Sequence, residues 1–395
     1  MFDEHVLKVG QFVLLSDFIV KTAGMAINEP ARYLIGGHNG PYNDPETLVR
    51  NYSHWVITFS KCYEIKEDKK FMDKVKELSD YLISRDSRPQ SHAFHHRNSL
   101  NRDKCNGLIG QAWTLEALAR ASSILGNTQY SEVAEDVFFQ HKFNQEIGLW
   151  NRLEIDGKIL SIDDTFNHQL WFAACAALLN TPRQDEISDR IFRFMNCLPE
   201  NLSVLDNGLI YHPIERRLNQ KDSRLSTKPR LRNIVRSLLP LSSKRKGQSR
   251  HNNKEFREKM IYKSIGYHQF NMYAFALLKE SVPDHPFWQS FEFQQSINYL
   301  VSDEFKNGVS KNIYGFPYNP PGFEVPYALS VLSDLTSDDI IEISSWWVNE
   351  QLKRCYNPKT QMMDRNTEDP LTHTARVYEL TRLPELYLDK IEIAI

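Results

Sequence analysis

The chain has 395 residues, a formal net charge of −2 and 41% hydrophobic residues, as expected for a globular protein with a sizeable core. The near-neutral charge argues against a nucleic acid partner, and five scattered cysteines without a C-x-x-C pair argue against a disulfide framework or a thiolate zinc site. There is no run of 18 apolar residues to predict a membrane span, and the acidic N-terminus does not resemble a signal peptide, so we expect a cytoplasmic protein.

Apolar residues recur at helical spacing along most of the chain, and two kinds of helix alternate. The first kind is apolar on one face only, and it is predicted over residues 4–23, 69–84, 129–141, 185–198, 286–300 and 339–354. The second kind is apolar nearly all round, which indicates burial on every side. It is predicted over residues 45–63, 106–125, 164–180, 267–279, 325–335 and 372–382.

Six pairs of one covering and one buried helix predict an all-α fold, an (α/α)6 toroid with an inner and an outer ring. An open α-solenoid is the alternative arrangement of such hairpins. A β-hairpin is predicted at Leu153–Leu160, with Asp156-Gly157 at its turn. We expect one domain over residues 1–395, with polar residues at the starts of the inner helices meeting in a common funnel.

The first inner helix follows a glycine-rich loop in which Asp44 and Pro45 are a capping pair. Because this loop would face the funnel, its polar and aromatic side chains are candidate ligand contacts: His38, Asn39 and Tyr42. At the start of the second helix the candidates are Asn106, Gln111 and Trp113. Capping and packing of small residues are the alternative interpretations of both segments. The nearby His92, His95 and His96 lack a carboxylate pattern, so no metal site is predicted.

The third inner helix opens with two carboxylates, Asp163 and Asp164, followed one turn later by His168. A helix N-terminus stabilises an ionised carboxyl group, whereas burial and a neighbouring carboxylate raise its pKa, and such opposing effects tune a general acid or base. We therefore predict these three residues as catalytic. The alternative is that either aspartate alone is an N-cap.

The later helix starts supply further candidate contacts to a substrate, together with a glutamine that follows His168. They are Gln169, Tyr267, His268, Gln269, Glu324, His373 and Arg376. Arg376 could clamp a sugar carboxylate through both of its terminal nitrogens. A surface ion pair for Arg376 and a hydrogen-bonded core position for His268 are the alternatives.

A basic insertion is predicted at residues 213–263, in which residues 216–263 carry 16 Lys and Arg against three acidic residues. It is read either as a solvated insertion or as a contact with an anionic substrate or an anionic membrane face. The membrane version is supported by a short amphipathic helix predicted from Leu231 to Leu239.

Two resemblances follow from these motifs. The stretch from Ile162 to Ala173 resembles a segment of the unsaturated glucuronyl hydrolases, which are (α/α)6 enzymes, and this implies that Asp163 is the proton donor. Gln169 stands where that family has Glu. GGHNGPYNDPET, NGLIGQAW and TFNHQLWFA resemble the AglQ proteins of surface-glycan and N-glycan assembly over residues 35–380. That resemblance implies processing of a hexuronic acid, including isomerisation.

We therefore expect an enzyme that acts on a uronic-acid-containing glycan or its lipid-linked precursor, by hydrolysis, elimination or epimerisation. The expected partner is an anionic saccharide, with membrane-surface contact through the basic insertion, and no cofactor is predicted. A non-catalytic glycan-binding or scaffold protein of an assembly complex is the alternative. A zinc-dependent helical toroid is a third hypothesis, and the dispersed cysteines argue against it.

Overall fold

The computed structural model describes residues 12–214 and 243–394, and side chains in the second range from residue 254 onward. The helices of these ranges are α1 (Leu15–Asn28), α2 (Pro30–Tyr33), α3 (Val49–Lys66), α4 (Lys69–Leu82), α5 (Gly107–Leu125), α6 (Thr128–Gln140), α7 (Phe166–Ala176), α8 (Gln184–Asn196), α9 (Leu198–Asn201), α10 (Ser243–Ser281), α11 (Phe291–Val301), α12 (Asp303–Ser310), α13 (Pro321–Leu332), α14 (Ser337–Cys355), α15 (Pro370–Ala375) and α16 (Glu385–Leu388). Short 3-10 turns occur at Gly40–Tyr42, Pro286–Gln289 and Arg376–Arg382. The strands are β1 (Phe12–Leu14), β2 (Phe143–Asn144), β3 (Leu149–Leu153), β4 (Ile159–Ile162) and β5 (Glu392–Ala394).

The inner helices form a closed ring. Helices α3, α5, α7, α10, α13 and α15, the last with its following 3-10 turn, each contact the next in order, and that turn contacts α3 again. The outer helices α1, α4, α6, α8, α11 and α14 each contact an inner helix of this ring. The predicted (α/α)6 toroid is confirmed, and the open solenoid is excluded because the first and last inner helices touch.

Burial follows the two sequence patterns. In the inner helix α7, the successive residues Leu170, Trp171 and Phe172 are all 0% exposed although each points about 100° away from the one before it. In the outer helix α4, burial is confined to one face, which includes Phe71 and Val75. Apolar residues all round a helix thus mark the inner ring, and a single apolar stripe marks the outer ring.

The N-terminal helix begins later than the sequence predicts. Helix α1 starts at Leu15 rather than at residue 4, because the preceding residues Phe12–Leu14 are extended and pair antiparallel with Glu392–Ala394. The strand pair β1–β5 thereby joins the two ends of the described chain across the outside of the ring. The last inner helix is α-helical only over Pro370–Ala375 and then tightens to a 3-10 turn.

The fourth inner helix is much longer than predicted, since α10 has 39 residues where the prediction covered 267–279. Residues 243–263 of the predicted basic insertion therefore belong to this helix, and residues 215–242 of it lie outside the described residues. The amphipathic helix predicted from Leu231 to Leu239 lies outside the described residues. The predicted β-hairpin is confirmed as β3–β4, with Gly157 at a φ of +83° in its turn.

Within the described ranges, no helix has both the length and the apolar character needed to cross a bilayer.

Candidate functional site

A cavity lies at the end of the ring where the inner helices begin. Its lining comes from the loops before α3, α5 and α13, from the first turns of α5 and α7, and from the middle of α10. Six of the residues predicted as site residues line it: Asn39, Tyr42, Asn106, Trp113, His168 and Tyr267. An adjoining compartment shares His168 and Thr165 with this cavity and includes Asp163. The loops of distant segments therefore meet at one mouth.

Asp163 and His168 form a hydrogen-bonded pair at the junction of the two compartments. His168 Nδ1 lies 2.8 Å from Asp163 Oδ2, and the same oxygen accepts a hydrogen bond of 3.1 Å from the Leu108 backbone amide. The second carboxylate oxygen accepts from the Thr165 amide at 3.3 Å. Asp163 is thus held by the starts of both α5 and α7, whose N-terminal amides point towards it.

Asp163 is firmly ionised. Burial raises its pKa, but His168, the Leu108 amide and Arg152 together lower it more, to about 2. An ionised carboxylate only accepts hydrogen bonds, so His168 Nδ1 must carry the proton of this bond. In the neutral form of His168 the free lone pair is then on Nε2, on a side chain that keeps 22% of its surface exposed. The pair is therefore arranged as an oriented imidazole base with a carboxylate behind it.

Gly107 leaves the space that this pair occupies. A Cβ atom at residue 107 would lie 2.6 Å from Asp163 Oδ2 and 2.9 Å from His168 Nδ1. The residue also has a φ of +58°, which side chains other than glycine rarely adopt. The NGLIGQAW motif therefore contributes both the amide that binds Asp163 and the room for the carboxylate.

Asp164 lies elsewhere. It is exposed, it does not line the cavity, and its backbone carbonyl accepts a hydrogen bond of 2.9 Å from the Ile214 amide. The successive residues Asp163 and Asp164 thus point in different directions, because the backbone is extended before α7 begins. The structure does not bring the two carboxylates together at one site.

A second imidazole, which the sequence analysis did not select, lines the cavity. His212 is 6% exposed, and its ring centroid lies 4.7 Å from that of Tyr267. Burial first, and then the positive charges of Lys263 and His168, lower its pKa well below the usual value, so the ring is neutral at pH 7. Among the described residues, none is a hydrogen-bond partner of His212 Nδ1.

Three other lining side chains also have buried polar atoms without a hydrogen-bond partner in the described part of the chain. They are Asn106 Nδ2, Trp113 Nε1 and Asn167 Oδ1. Buried polar groups are normally hydrogen-bonded, so unpaired atoms grouped around one cavity indicate capacity for a polar ligand or for water. Hydroxyl groups of a sugar would match both the donors and the acceptor.

Arginines of the mouth form a chain of ion pairs that joins three loops. Arg97 contacts Asp44 at 3.2 Å and Asp103 at 3.3 Å, and Arg152 contacts Asp103 at 2.6 Å. Arg102 contacts Asp44 at 3.4 Å. Asp103 has a lowered pKa: burial opposes the change, but Arg97, the Gly107 amide and Arg152 outweigh it. Both cavity carboxylates, Asp103 and Asp163, are therefore ionised and already paired.

Lys263 differs from these arginines. Its ammonium nitrogen lies 5.0 Å from the ring centroid of Tyr42, 5.4 Å from that of Tyr267 and 5.8 Å from that of Tyr314. The hydroxyl groups of Tyr42 and Tyr267 are 2.7 Å apart. Burial, followed by the charges of Arg102 and Lys259, lowers the pKa of Lys263 to about 8.

Beneath the cavity lies a buried ionic cluster that supports its floor. Arg376 donates to Glu324 and Glu379, and its Nη1 atom donates to Asn319 Oδ1 at 2.8 Å. Asn319 lines the cavity, whereas Arg376 and Glu324 lie below it and are at most 1% exposed. Burial and the neighbouring Glu379 raise the pKa of Glu324, against the opposing charge of Arg376. The predicted sugar clamp at Arg376 is thus occupied by protein carboxylates.

Arg50 contacts two side chains that line the cavity, Asn39 and Trp113. It donates to Asn39 Oδ1 at 3.0 Å, and its guanidinium carbon lies 4.1 Å from the centroid of the Trp113 ring. Tyr318 OH donates to the same oxygen of Asn39 at 2.6 Å. Arg50 pairs with Glu46 at 3.1 Å, and burial raises the pKa of Glu46 to about 6. Two side chains predicted as ligand contacts, Asn39 and Trp113, are therefore positioned by one arginine.

The three predicted glutamines bind loops at this end of the ring; Gln111 and Gln169 lie near the starts of α5 and α7, whereas Gln269 lies within α10. Gln111 accepts from the Phe94 amide at 2.8 Å, and Gln169 accepts from the Trp150 amide at 2.9 Å and donates to the Asp163 carbonyl at 3.0 Å. Gln269 donates to the Asn319 carbonyl at 3.1 Å. All three are fully buried and do not line the cavity.

The remaining predicted contacts are histidines with protein partners. His268 Nε2 pairs with the Ser296 carbonyl at 3.0 Å, and His373 Nε2 lies 3.2 Å from Gln351 Nε2. His38 pairs with the Glu368 carbonyl. These three do not line the cavity.

The upstream histidines are dispersed too: His92 contacts Gln140, His95 contacts the Arg97 carbonyl and His96 contacts Thr114. In the part of the chain that the structure describes, no three His, Cys, Asp or Glu side chains converge as metal ligands.

Comparisons with known proteins give one full-length relative. The chain is 40% identical over 385 residues to archaeal glycosylation protein Q of Haloferax volcanii, and the match covers 95% of this chain and 99% of that protein. No protein-family model matches the chain. The resemblance to the AglQ proteins inferred from the loop motifs is thereby confirmed.

Solved structures similar to this chain include enzymes of two kinds. An inactive variant of an alpha-1,6-mannanase of Salegentibacter sp. HEL1_6, in complex with alpha-1,6-mannotriose, has a TM-score of 0.55 and 13% identity and covers 95% of this chain and 98% of its own. A D-mannose isomerase and the cellobiose 2-epimerase of Spirochaeta thermophila each have a TM-score of 0.58 and 12% identity, covering 93% of this chain and 96% of their own. At these identities the likeness shows the fold alone.

Proposed function

The chain belongs to the family of archaeal glycosylation protein Q, and we propose on this premise that it is an enzyme which isomerises or epimerises a sugar during glycan assembly. The proposed substrate is a hexuronic acid in a lipid-linked precursor, processed on the cytoplasmic side of the membrane. The observation that carries the proposal is the pair of His168 and ionised Asp163, with His168 Nε2 available as a base at the junction of the two compartments.

In the proposed reaction His168 removes a proton from a sugar carbon next to a carbonyl or carboxylate group. Asp163 keeps the proton on Nδ1 and stabilises the imidazolium that forms, as a carboxylate does behind a catalytic histidine. His168 holds the proton as an imidazolium and returns it to the planar intermediate, which for epimerisation must first turn over in the cavity. His212, neutral and lining the same cavity, has no acidic proton to supply. Return to the opposite face gives epimerisation, and transfer to a neighbouring carbon gives isomerisation.

Hydrolysis is less well supported by the same geometry. A glycosidase needs one carboxyl group with a raised pKa to protonate the leaving oxygen. The carboxyl groups of the cavity, Asp103 and Asp163, both have lowered pKa values. The described carboxyl groups with raised values that lie nearest, Glu324 and Glu46, are buried beneath the floor and paired with arginines. Proton transfer by the His168 imidazole therefore fits better than the carboxylate acid predicted from the sequence.

The proposal is tested in cells that lack the protein and carry a variant of it. The glycan is released, its length is determined by mass spectrometry, and its hydrolysed sugars are separated by chromatography. Wild type should restore both the sugar composition and the full length, whereas His168→Gln and Asp163→Asn should not. Asp164→Asn is the matched control because that carboxylate is exposed and lies outside the cavity.

Two results would contradict the proposal. Restoration of the glycan by all three variants would favour the non-catalytic glycan-binding or scaffold protein. Accumulation in the deficient cells of a glycan that carries an additional, uncleaved unit would favour hydrolysis.

A further inference from the structure

Lys263 is the cation of the cavity that has no carboxylate beside it. Each of the mouth arginines Arg97, Arg102 and Arg152 lies within 3.4 Å of Asp44 or Asp103. Among the described residues, no Asp or Glu oxygen lies within 4.0 Å of Lys263, and the charges that act on it most are the cations Arg102 and Lys259. Each mouth arginine thus has a carboxylate partner that balances its charge, whereas Lys263 has none among the described residues.

The surroundings of Lys263 make this imbalance unfavourable. Three tyrosine rings enclose the ammonium group at 5.0 to 5.8 Å, and their faces offer only a weak attraction to it. A half-buried cation without a counter-ion loses hydration that is not replaced, in accord with the lowered pKa of about 8. An anion bound in the cavity would supply the missing partner.

Lys263 lies in the same cavity as His168, so an anion bound to Lys263 would be in the cavity that His168 also lines. Lys263 and His168 both line the cavity, together with Tyr267 and His212, whereas Asp163 lies in the adjoining compartment. We propose that Lys263, with the hydroxyl groups of Tyr42 and Tyr267, binds the negatively charged group of an anionic sugar and so selects a uronic acid over a neutral sugar. This rests on the proposed function, namely that the cavity processes a sugar.

Binding of D-glucuronate and of D-glucose is measured by isothermal titration on wild type, Lys263→Met, Lys263→Arg and Lys259→Met. Lys259→Met is the matched control, since Lys259 is an exposed lysine one turn earlier on the same helix. Glucuronate should bind at least about tenfold more weakly to Lys263→Met, as expected for loss of one charged hydrogen bond. Lys263→Arg should keep most of the affinity, Lys259→Met all of it, and glucose should not distinguish the variants.

A second readout does not depend on the variants. NMR of the lysine side chain measures the pKa of Lys263. Bound glucuronate should raise this pKa, and glucose should leave it unchanged. Glucose 1-phosphate identifies the source of the charge: if it binds more tightly than glucuronate and depends on Lys263, the bound group is a sugar phosphate.

Unchanged glucuronate affinity in Lys263→Met would overturn the inference and leave the proposed function standing. If wild type binds none of the three sugars, the proposed function fails together with the inference.

Discussion

At the scale of single residues, the reactive pair depends on a position that has no side chain. Gly107 starts α5 at a φ of +58°, and the Asp163 carboxylate and the His168 ring fill the space next to its Cα atom. Gly126, at the other end of the same helix, has a φ of +64°, and nothing lies within 4 Å of its Cβ position. The two glycines share the backbone conformation and differ in what surrounds them.

Gly107→Ala is expected to reduce activity by about 100-fold or more, because the methyl group must displace Asp163 or His168, and a shift of about 1 Å at a catalytic group has an effect of that size. Gly126→Ala should destabilise the protein by about 1 kcal/mol through backbone strain, as Gly107→Ala also should. Gly126→Ala should nevertheless keep its activity. The rate of sugar interconversion tests the predicted activities of both variants, and thermal unfolding tests their predicted stabilities. Equal activity in the two variants would mean that the pair does not react.

The sequence predicted part of the site at this scale. Asp163, His168, Asn106 and Trp113 were identified because they open apolar helices, and such helices begin at one mouth. His212 and Lys263 were missed for the same reason: His212 lies in an irregular loop, and Lys263 lies within a basic run, four residues before the predicted helix start at Tyr267. Arg376 was predicted as a clamp, but side-chain partners far apart in the chain, Glu324 and Asn319, occupy it.

At the scale of elements, a His-Gln pair occurs twice in the sequence and has a different structural role in each place. The sequence alone does not distinguish the two roles. The pair His168-Gln169 opens α7, whereas the similar pair His268-Gln269, which the sequence predicts at a helix start, lies within α10. Gln169 binds the loop before its helix and Gln269 binds the loop before α13, yet His168 faces the cavity while His268 is fully buried and binds the Ser296 carbonyl. The difference arises because α10 continues outward for many residues before this motif, so that His268 lies within the helix rather than at its mouth.

The strand pair β1–β5 is the element that closes the outer side of the ring, and it rests on one buried side chain. Ile393 is 0% exposed and pairs with Val13, whereas its neighbour Glu392 is exposed. Ile393→Ala should lower the free energy of unfolding by about 2 kcal/mol or more through the cavity it leaves. Glu392→Ala, in the same strand, should change it by less than about 0.5 kcal/mol. Urea unfolding of the two variants provides the comparison, and equal stabilities would show that the pair does not hold the ends of the chain.

At the scale of the whole molecule, the alternation of buried and one-sided helices predicted the ring, since each pattern depends only on what surrounds a helix. The contacts inside the ring could not be predicted, because they join residues far apart in sequence. Six buried imidazoles of the described interior have pKa values lowered by burial: His54, His96, His141, His212, His268 and His373.

These histidines should make the protein less stable in acid. Burial lowers the pKa of His268 to about 4, below its value of about 6.5 in the unfolded chain, so the unfolded state takes up the proton first. Stability is therefore lost as pH falls from about 6.5 to about 4, by about 1.4 kcal/mol per pH unit for each such group. Buried carboxyl groups with raised pKa values, such as Glu46 and Glu379, act in the opposite direction but are fewer.

His268→Gln can keep the hydrogen bond to the Ser296 carbonyl. It should reduce the loss of stability per pH unit by the contribution of one histidine, about 1.4 kcal/mol. Denaturant unfolding at several pH values between 4 and 7 measures it. An unchanged slope would show that His268 is already protonated in the folded protein at those pH values.

The central claim is that His168, oriented by ionised Asp163, moves a proton on a sugar in the cavity of the ring. The most direct measurement is proton NMR of a hexuronic acid substrate incubated with the purified protein in deuterium oxide. We predict that deuterium replaces the hydrogen at the carbon next to the carboxylate or carbonyl group, with wild type and Asp164→Asn but not with His168→Gln. Conversion of the sugar without any deuterium uptake, or equal uptake with His168→Gln, would contradict the account.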